Sequence, residues 1–247
     1  MKHNINLEQR KSELRKKMEE AVRAAERHGG ASGYKAAVFD YDGTVVDSMK
    51  MWSSVPSRFA RRLGVEAEPG FDEEIKYLSL EESAQRFREY GAVGSDEEII
   101  EQIMEMVMES YQYELQLKPG VRNVLEDLYT HNIRMCVASQ TPSRMIQAAN
   151  RRLGLDRYFE AVYSCGEWET QKREPDIYYL AADHLGALPQ ETFVFEDMVY
   201  AVKTAADAGF YVVGIYDESS EEDRETIEQN SRIYLRNYAE WFRTEFY

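Results

Sequence analysis

"VFDYDGTVVDS", residues 38–48, sets an apolar run against two aspartates two positions apart, followed at once by Gly-Thr. Asp40 and Asp42 are like charges at short separation, and burial makes each costlier. A bound cation is the simplest partner that would neutralise them. Gly43 permits a sharp turn. The stretch therefore reads as a short buried strand whose end presents two carboxylates.

Working outward, the same pattern of an apolar run ending in polar chemistry recurs. "IRMCVA" (133–138) ends at Ser139, "AVYS" (161–164) forms a third run, "TFVFE" (192–196) ends at Glu196-Asp197, and "FYVVGI" (210–215) is a fifth. Helical spacing separates them: from Pro119 through Val121, Val124, Leu125 and Leu128, from about 143 to 153, after Pro175, and from about 200 to 208 before Gly209. Strands alternating with helices specify an α/β fold with a mainly parallel sheet. Residues 49–116 break this alternation with long polar helical patterns, so a helical insertion is expected right after the first strand. Its methionines Met104, Met106 and Met108 read as packing. Residues 7–28 carry Leu7, Leu14, Met18, Val22 and Ala25 at helical spacing among mixed charges, and Gly29, Gly30 and Gly33 follow as a linker. This helix either packs on its own domain or serves a partner, including a second copy of the chain. The expected domains are 1–33 (helix and linker), 34–48 with 117–247 (α/β core), and 49–116 (inserted helical cap). "DESSEEDRETIEQ" (217–229) reads as a solvated helix with its lead-in, and "RIYLRNYAEWF" as a last strand and helix.

The chain has 247 residues, with 45 acidic against 30 basic side chains and a net charge of -15. That balance argues against nucleic acid as a partner. No apolar run approaches the ~20 residues that span a bilayer. The charged N-terminus has no apolar segment of a secretory signal. Cys136 and Cys165 lack metal-ligand spacing and read as reduced thiols of a cytoplasmic protein.

In a parallel sheet, ligands bind beyond the carboxyl ends of the strands. Asp40, Asp42, Ser139, Glu196 and Asp197 all fall there, and Lys172 lies in a loop, "QKREPDIY". Carboxylate oxygens suit Mg²⁺, while a hydroxyl and an ammonium would hold phosphate oxygens. A lone strand-end serine, loop lysine or acidic pair is usually a turn or surface feature, but D-x-D-G-T arises by chance only about once in 10⁵ windows at average usage.

Asp40-Tyr41-Asp42-Gly43-Thr44, Ser139, Lys172 with Pro175-Asp176, and Glu196-Asp197 resemble, in order, the four motifs of the haloacid dehalogenase-like superfamily. The closer resemblance is to β-phosphoglucomutase-like phosphatases, over about residues 34–217. It implies a Rossmann-like sheet flanked by helices with an inserted helical cap that contributes specificity, and a Mg²⁺-dependent phosphatase acting on a small phosphorylated metabolite. Asp40 would be the nucleophile and Asp42 the general acid/base. Ser139, Gln140, Lys172, Gly43 and Thr44 would bind the phosphoryl group. Asp40, Asp42 through its carbonyl, and Asp197 would hold the metal, with Glu196 beside it.

Departures from the family pattern are informative. Arg173 is the alternative to Lys172, because the common Gly-Lys-Pro-x-Pro run is here Gln171-Lys172-Arg173-Glu174-Pro175. Met198 replaces the frequent Ser or Ala. Trp52 stands where mutases carry a histidine, and Leu80 where their cap carries a phosphate-gripping arginine, so both disfavour a mutase. Asp42 disfavours dehalogenation. A catalytically silent binding protein is disfavoured because no core motif position is lost. No motif lies in residues 1–30, so their removal is expected to spare activity.

Overall fold

The computed structural model describes residues 7–28, 33–75 and 78–244, apart from the side chains of residues 26, 28, 80 and 81. The linker glycines Gly29 and Gly30, and the Leu80 side chain, lie outside this set. The chain forms two compact units, residues 1–47 with 116–247, and residues 48–115.

The first unit is built on a six-stranded parallel sheet: β1 Ala36–Phe39, β2 Arg134–Ser139, β3 Phe159–Ser164, β4 Thr192–Glu196, β5 Tyr211–Ile215 and β6 Ile233–Leu235, in the order β3-β2-β1-β4-β5-β6. All four β1 residues are buried, as expected of a central parallel strand covered on both faces. β3 starts two residues earlier than its apolar run, because Phe159 pairs with Met135 before a register shift.

Strand alternation sends odd and even positions to opposite faces. One face packs Val38, Ala138 and Val194 against α1 Leu7–His28, α9 Asp176–His184 and α10 Val199–Asp207. On β1 and β4, Phe39 and Phe195 stack at 4.1 Å, and Trp241 lies 5.4 Å from Phe195. Helices α7 Val121–Thr130 and α8 Ser143–Leu153 and the late helix α11 Arg224–Asn230 complete this unit. The acidic 217–229 segment is a 3₁₀ stretch running into α11 and is only partly solvated: Asp217, Ser220 and Ile227 are buried.

The N-terminal helix belongs to this unit and packs on it. Leu14 and Met18 are buried in the same core cluster as Ile177 and Leu180. Two of the apolar positions considered for self-association, Leu14 and Met18, are therefore in contact with the chain's own α/β unit.

The second unit is helical: α2 Met49–Ser53, α3 Val55–Arg62, α4 Phe71–Ile75, α5 Leu80–Glu89 and α6 Asp96–Glu109, followed by a π-helical turn Ser110–Glu114. Capping boxes, Ser79 with Glu82 and Ser95 with Glu98, start α5 and α6. Its core holds Phe59, Phe71, Phe87, Tyr90, Ile99 and Met106; Met104 and Met108 are half-buried. The segment departs from and returns to the first unit at one place. The Asp47 N–H donates to the Gln116 carbonyl at 2.9 Å, the Lys118 N–H to Val45 at 3.0 Å, and Val46 pairs antiparallel with Leu117. No described helix is long and apolar enough to cross a membrane.

Candidate active site

Side chains converge where β1, β2 and β4 end. The Asp40 N–H still donates to the Phe195 carbonyl at 2.9 Å, so the ladder carries the chain to its first aspartate before it turns away. Asp40 follows Val38 by two positions and Glu196 follows Val194 by two. Strand parity thus aims both carboxylates to the α9 face. There the Lys172 ammonium donates to Asp40 and, at 2.5 Å, to Glu196 Oε1; the Tyr178 hydroxyl donates to that same oxygen at 2.7 Å. Asp40, Lys172, Glu196 and Asp197 are all at most 5% exposed.

The turn after Asp40 is tight. The Val45 and Val46 N–H groups donate to the Tyr41 carbonyl, and the Gly43 N–H to the Val46 carbonyl at 3.0 Å. Gly43 has φ 80°, which favours a residue without Cβ. Tyr41 points away from the cluster, its hydroxyl donating to Asn150 Oδ1 at 2.9 Å. Asp42 is held from the β2 end, where the Thr141 hydroxyl donates to Oδ2 at 2.7 Å.

Asp40, Glu196 and Asp197 each offer an oxygen, and these oxygens lie within 4.8 Å of one another. Glu196 Oε2 and Asp197 Oδ2 are buried without a hydrogen-bond partner, which is costly for an acceptor unless something else meets it. Burial pushes the Glu196 carboxyl up to about 7 against the opposing pull of Lys172. Burial, then the charges of Asp40 and Glu196, push Asp197 well above the usual carboxylate range. Burial alone would lower the Lys172 pKa, but Asp40 and Glu196 together hold it above the ordinary amine value. Three carboxylates around one ammonium leave excess negative charge. An oxygen-ligated divalent cation fits this donor set and those two unpartnered oxygens.

The other expected residues are placed as follows. Ser139 is buried and its Oγ accepts from the Thr141 N–H at 3.1 Å. Gln140 is exposed beside it. The Gly43 N–H is engaged in its own turn. The Thr44 hydroxyl donates to Asp197 Oδ1 at 3.3 Å from a fully buried position. Asp42 keeps its carboxylate out of the three-oxygen cluster. Arg173 is exposed and lies 4.6 Å over the Tyr200 ring, so Lys172 is the cation that reaches Asp40. Two residues of the site, Thr141 and Tyr178, are absent from the sequence-based expectations. Thr141 stands in plain view two residues past a strand-end serine, whereas nothing local marks Tyr178.

Comparison with known proteins places this geometry among relatives. Residues 37–215 match the model of the haloacid dehalogenase-like hydrolases. A phosphorylated carbohydrates phosphatase of Thermotoga maritima is 26% identical, covering 71% of this chain and 82% of that protein. The β-phosphoglucomutase of Bacillus subtilis is 25% identical, covering 73% and 83%. A Thermotoga maritima crystal structure provisionally described as a β-phosphoglucomutase superposes with TM-score 0.71 at 25% identity, covering 83% of this chain and 95% of that one.

Proposed function

Because the chain belongs to the haloacid dehalogenase-like hydrolase family, we propose that it is a phosphoric monoester hydrolase acting on a small phosphorylated sugar with Mg²⁺. The observation that carries this reading is the buried Asp40–Lys172–Glu196–Asp197 cluster with Asp42 held beside it. The substrate class is supported by the similarity to a phosphatase of phosphorylated carbohydrates.

Asp40 would hold the cation together with Asp197 and the Asp42 carbonyl, with Glu196 alongside. Bound there, it would neutralise charge on the transferring phosphoryl oxygens. Asp40 attacks phosphorus and forms an aspartyl-phosphate as the ester P–O bond breaks. Asp42 gives its proton to the leaving alkoxide, then takes one from the water that attacks the aspartyl-phosphate, which restores Asp40 and releases phosphate. Lys172 and Ser139 stabilise the phosphoryl group in flight. Residues 48–115 are assigned to substrate selection. Buried reduced thiols at Cys136 and Cys165 favour a cytoplasmic setting.

Incubation with p-nitrophenyl phosphate and a panel of hexose and pentose phosphates, with Mg²⁺ and then with excess EDTA, tests this. Phosphate release that the chelator stops is expected. No release from any ester with Mg²⁺ present would sink the reading.

A second reading, a sugar-phosphate mutase, is favoured by the similarity to β-phosphoglucomutase. Against it stands Trp52 at the counted histidine position, its indole N–H donating to the Tyr111 hydroxyl at 3.2 Å. Conversion of β-glucose 1-phosphate to glucose 6-phosphate, without net phosphate release, would favour the mutase.

A further inference from the structure

The family match begins at residue 37, so α1 lies wholly outside it. Yet this helix grips the chain on both sides of Lys172. Upstream, the Lys11 ammonium donates to the Glu169 carbonyl at 2.8 Å from a site only 6% exposed. Glu169 sits at φ 48°, a left-handed conformation that a non-glycine residue adopts only where its surroundings hold it. Next to it, Arg10 lies over the Trp168 ring at 5.4 Å. Downstream, Arg15 forms a two-pronged pair with Asp176, Nε to Oδ1 at 3.0 Å and a terminal nitrogen to Oδ2, and that carboxylate is buried. Arg15 also lies 3.6 Å from Glu174. Between these anchors the loop folds on itself through Thr170 N–H to Cys165 carbonyl and Glu174 N–H to Gln171 carbonyl, each at 3.0 Å. Lys172 is the residue this short span delivers to Asp40 and Glu196.

A long flexible side chain such as lysine loses considerable freedom when fixed, and a displacement of about 1 Å in a positioned group can cost about 10²-fold in rate. We propose that the N-terminal helix is a brace for the catalytic loop, with Lys11 and Arg15 as positioning residues that act through Lys172. Paired hydrogen bonds to one buried carboxylate fix direction as well as distance. A charged donor on the carbonyl of a left-handed residue fixes the other end. Lys17, on the same helix, pairs instead with Asp183 far along α9 at an exposed site, so it supplies a control.

The proposal rests on the phosphatase reading for its kinetic test and is independent of it for its structural one. Lys11→Met, Arg15→Gln and Lys17→Met are compared with the full-length wild type. Amide hydrogen exchange over residues 165–175 should speed up at least threefold in the first two and stay unchanged in Lys17→Met. With p-nitrophenyl phosphate and Mg²⁺, kcat should fall about tenfold in the first two with KM within twofold. Added to Lys172→Met, neither should cause a further loss beyond twofold. Unchanged loop exchange in both Lys11→Met and Arg15→Gln overturns the brace, as does a full additional loss of kcat in the Lys172→Met background. If Arg15→Gln does not fold, Arg15→Lys, which keeps the charge but not the two-pronged geometry, replaces it with the same criteria. A wild type that hydrolyses no ester removes the phosphatase reading, and the exchange measurement then decides the brace alone.

Discussion

The Thr141 hydroxyl stands 2.7 Å from Asp42 Oδ2, reaching from the end of β2 to the turn after β1. A hydrogen bond to an ionisable group contributes about 1.5–3 kcal/mol, and this one fixes the carboxyl assigned to proton transfer. Thr141→Val should lower kcat roughly tenfold or more on an alkyl phosphate, and less on an aryl phosphate whose leaving group needs little protonation. Thr141→Ser should restore most of it. Equal losses on both substrates would show that Thr141 serves something other than the proton.

Asp40→Asn should abolish turnover in a folded protein, since an amide is not an anionic nucleophile. Asp42→Asn should still form the aspartyl-phosphate from an aryl phosphate and then hydrolyse it slowly. Stopped-flow absorbance should record a burst of phenol followed by a slow steady state, with phosphate lagging. Wild-type turnover in Asp42→Asn would assign its carboxylate another task.

Lys172→Met should reduce kcat by about 10²–10³-fold, the usual size for loss of an electrostatic stabiliser. Arg173→Met should stay near wild type, because the Arg173 guanidinium lies over Tyr200 while the Lys172 ammonium meets Asp40. The reverse ranking would hand the role to Arg173.

The carboxylate cluster ties metal to stability. Adding Mg²⁺ should raise the Tm of the wild type, since a ligand bound by the folded state alone stabilises it. Asp197→Asn removes one of the mutually repelling buried carboxylates, so the EDTA-treated variant should melt higher than the EDTA-treated wild type while losing most of the Mg²⁺-induced rise. A variant that responds to Mg²⁺ like the wild type would place the ion elsewhere.

Burial pushes the Cys136 thiol up to about 12 and the Cys165 thiol up to about 11. A raised thiol pKa means less thiolate at a given pH, so both should resist Ellman's reagent at pH 8 and both should react once the chain is unfolded. The folded state also retains these protons longer than the unfolded one, whose thiols titrate near their ordinary value. Stability should therefore decline as pH rises above about 9. Rapid labelling of the native protein would contradict this burial.

Much of this architecture is legible in the sequence because it is local. Asp40-Tyr41-Asp42-Gly43-Thr44 announces a strand end, and apolar runs closing on Ser139 and Glu196-Asp197 mark two more. What escapes is long-range. Arg15 and Asp176 are 161 positions apart, and no periodicity in α1 says which loop it will meet. For the same reason the expectation that removing residues 1–30 spares activity takes no account of the contacts of Lys11 and Arg15, and the brace proposed above predicts the opposite outcome. Thr44 is legible as a motif residue, but its hydrogen bond to Asp197, 153 positions away, is visible only in the fold.

The clasp formed by Val45, Val46 and Asp47 with Gln116, Leu117 and Lys118 has a consequence for how the chain tolerates changes of length. The α/β unit is tied off where the helical segment leaves it, so everything between behaves as a closed loop of arbitrary content. Loop closure costs only about 0.6 kcal/mol for each doubling of length. The intervening helices can therefore change in length at small entropic cost while the strand end that carries Asp40 keeps its own backbone hydrogen bonds.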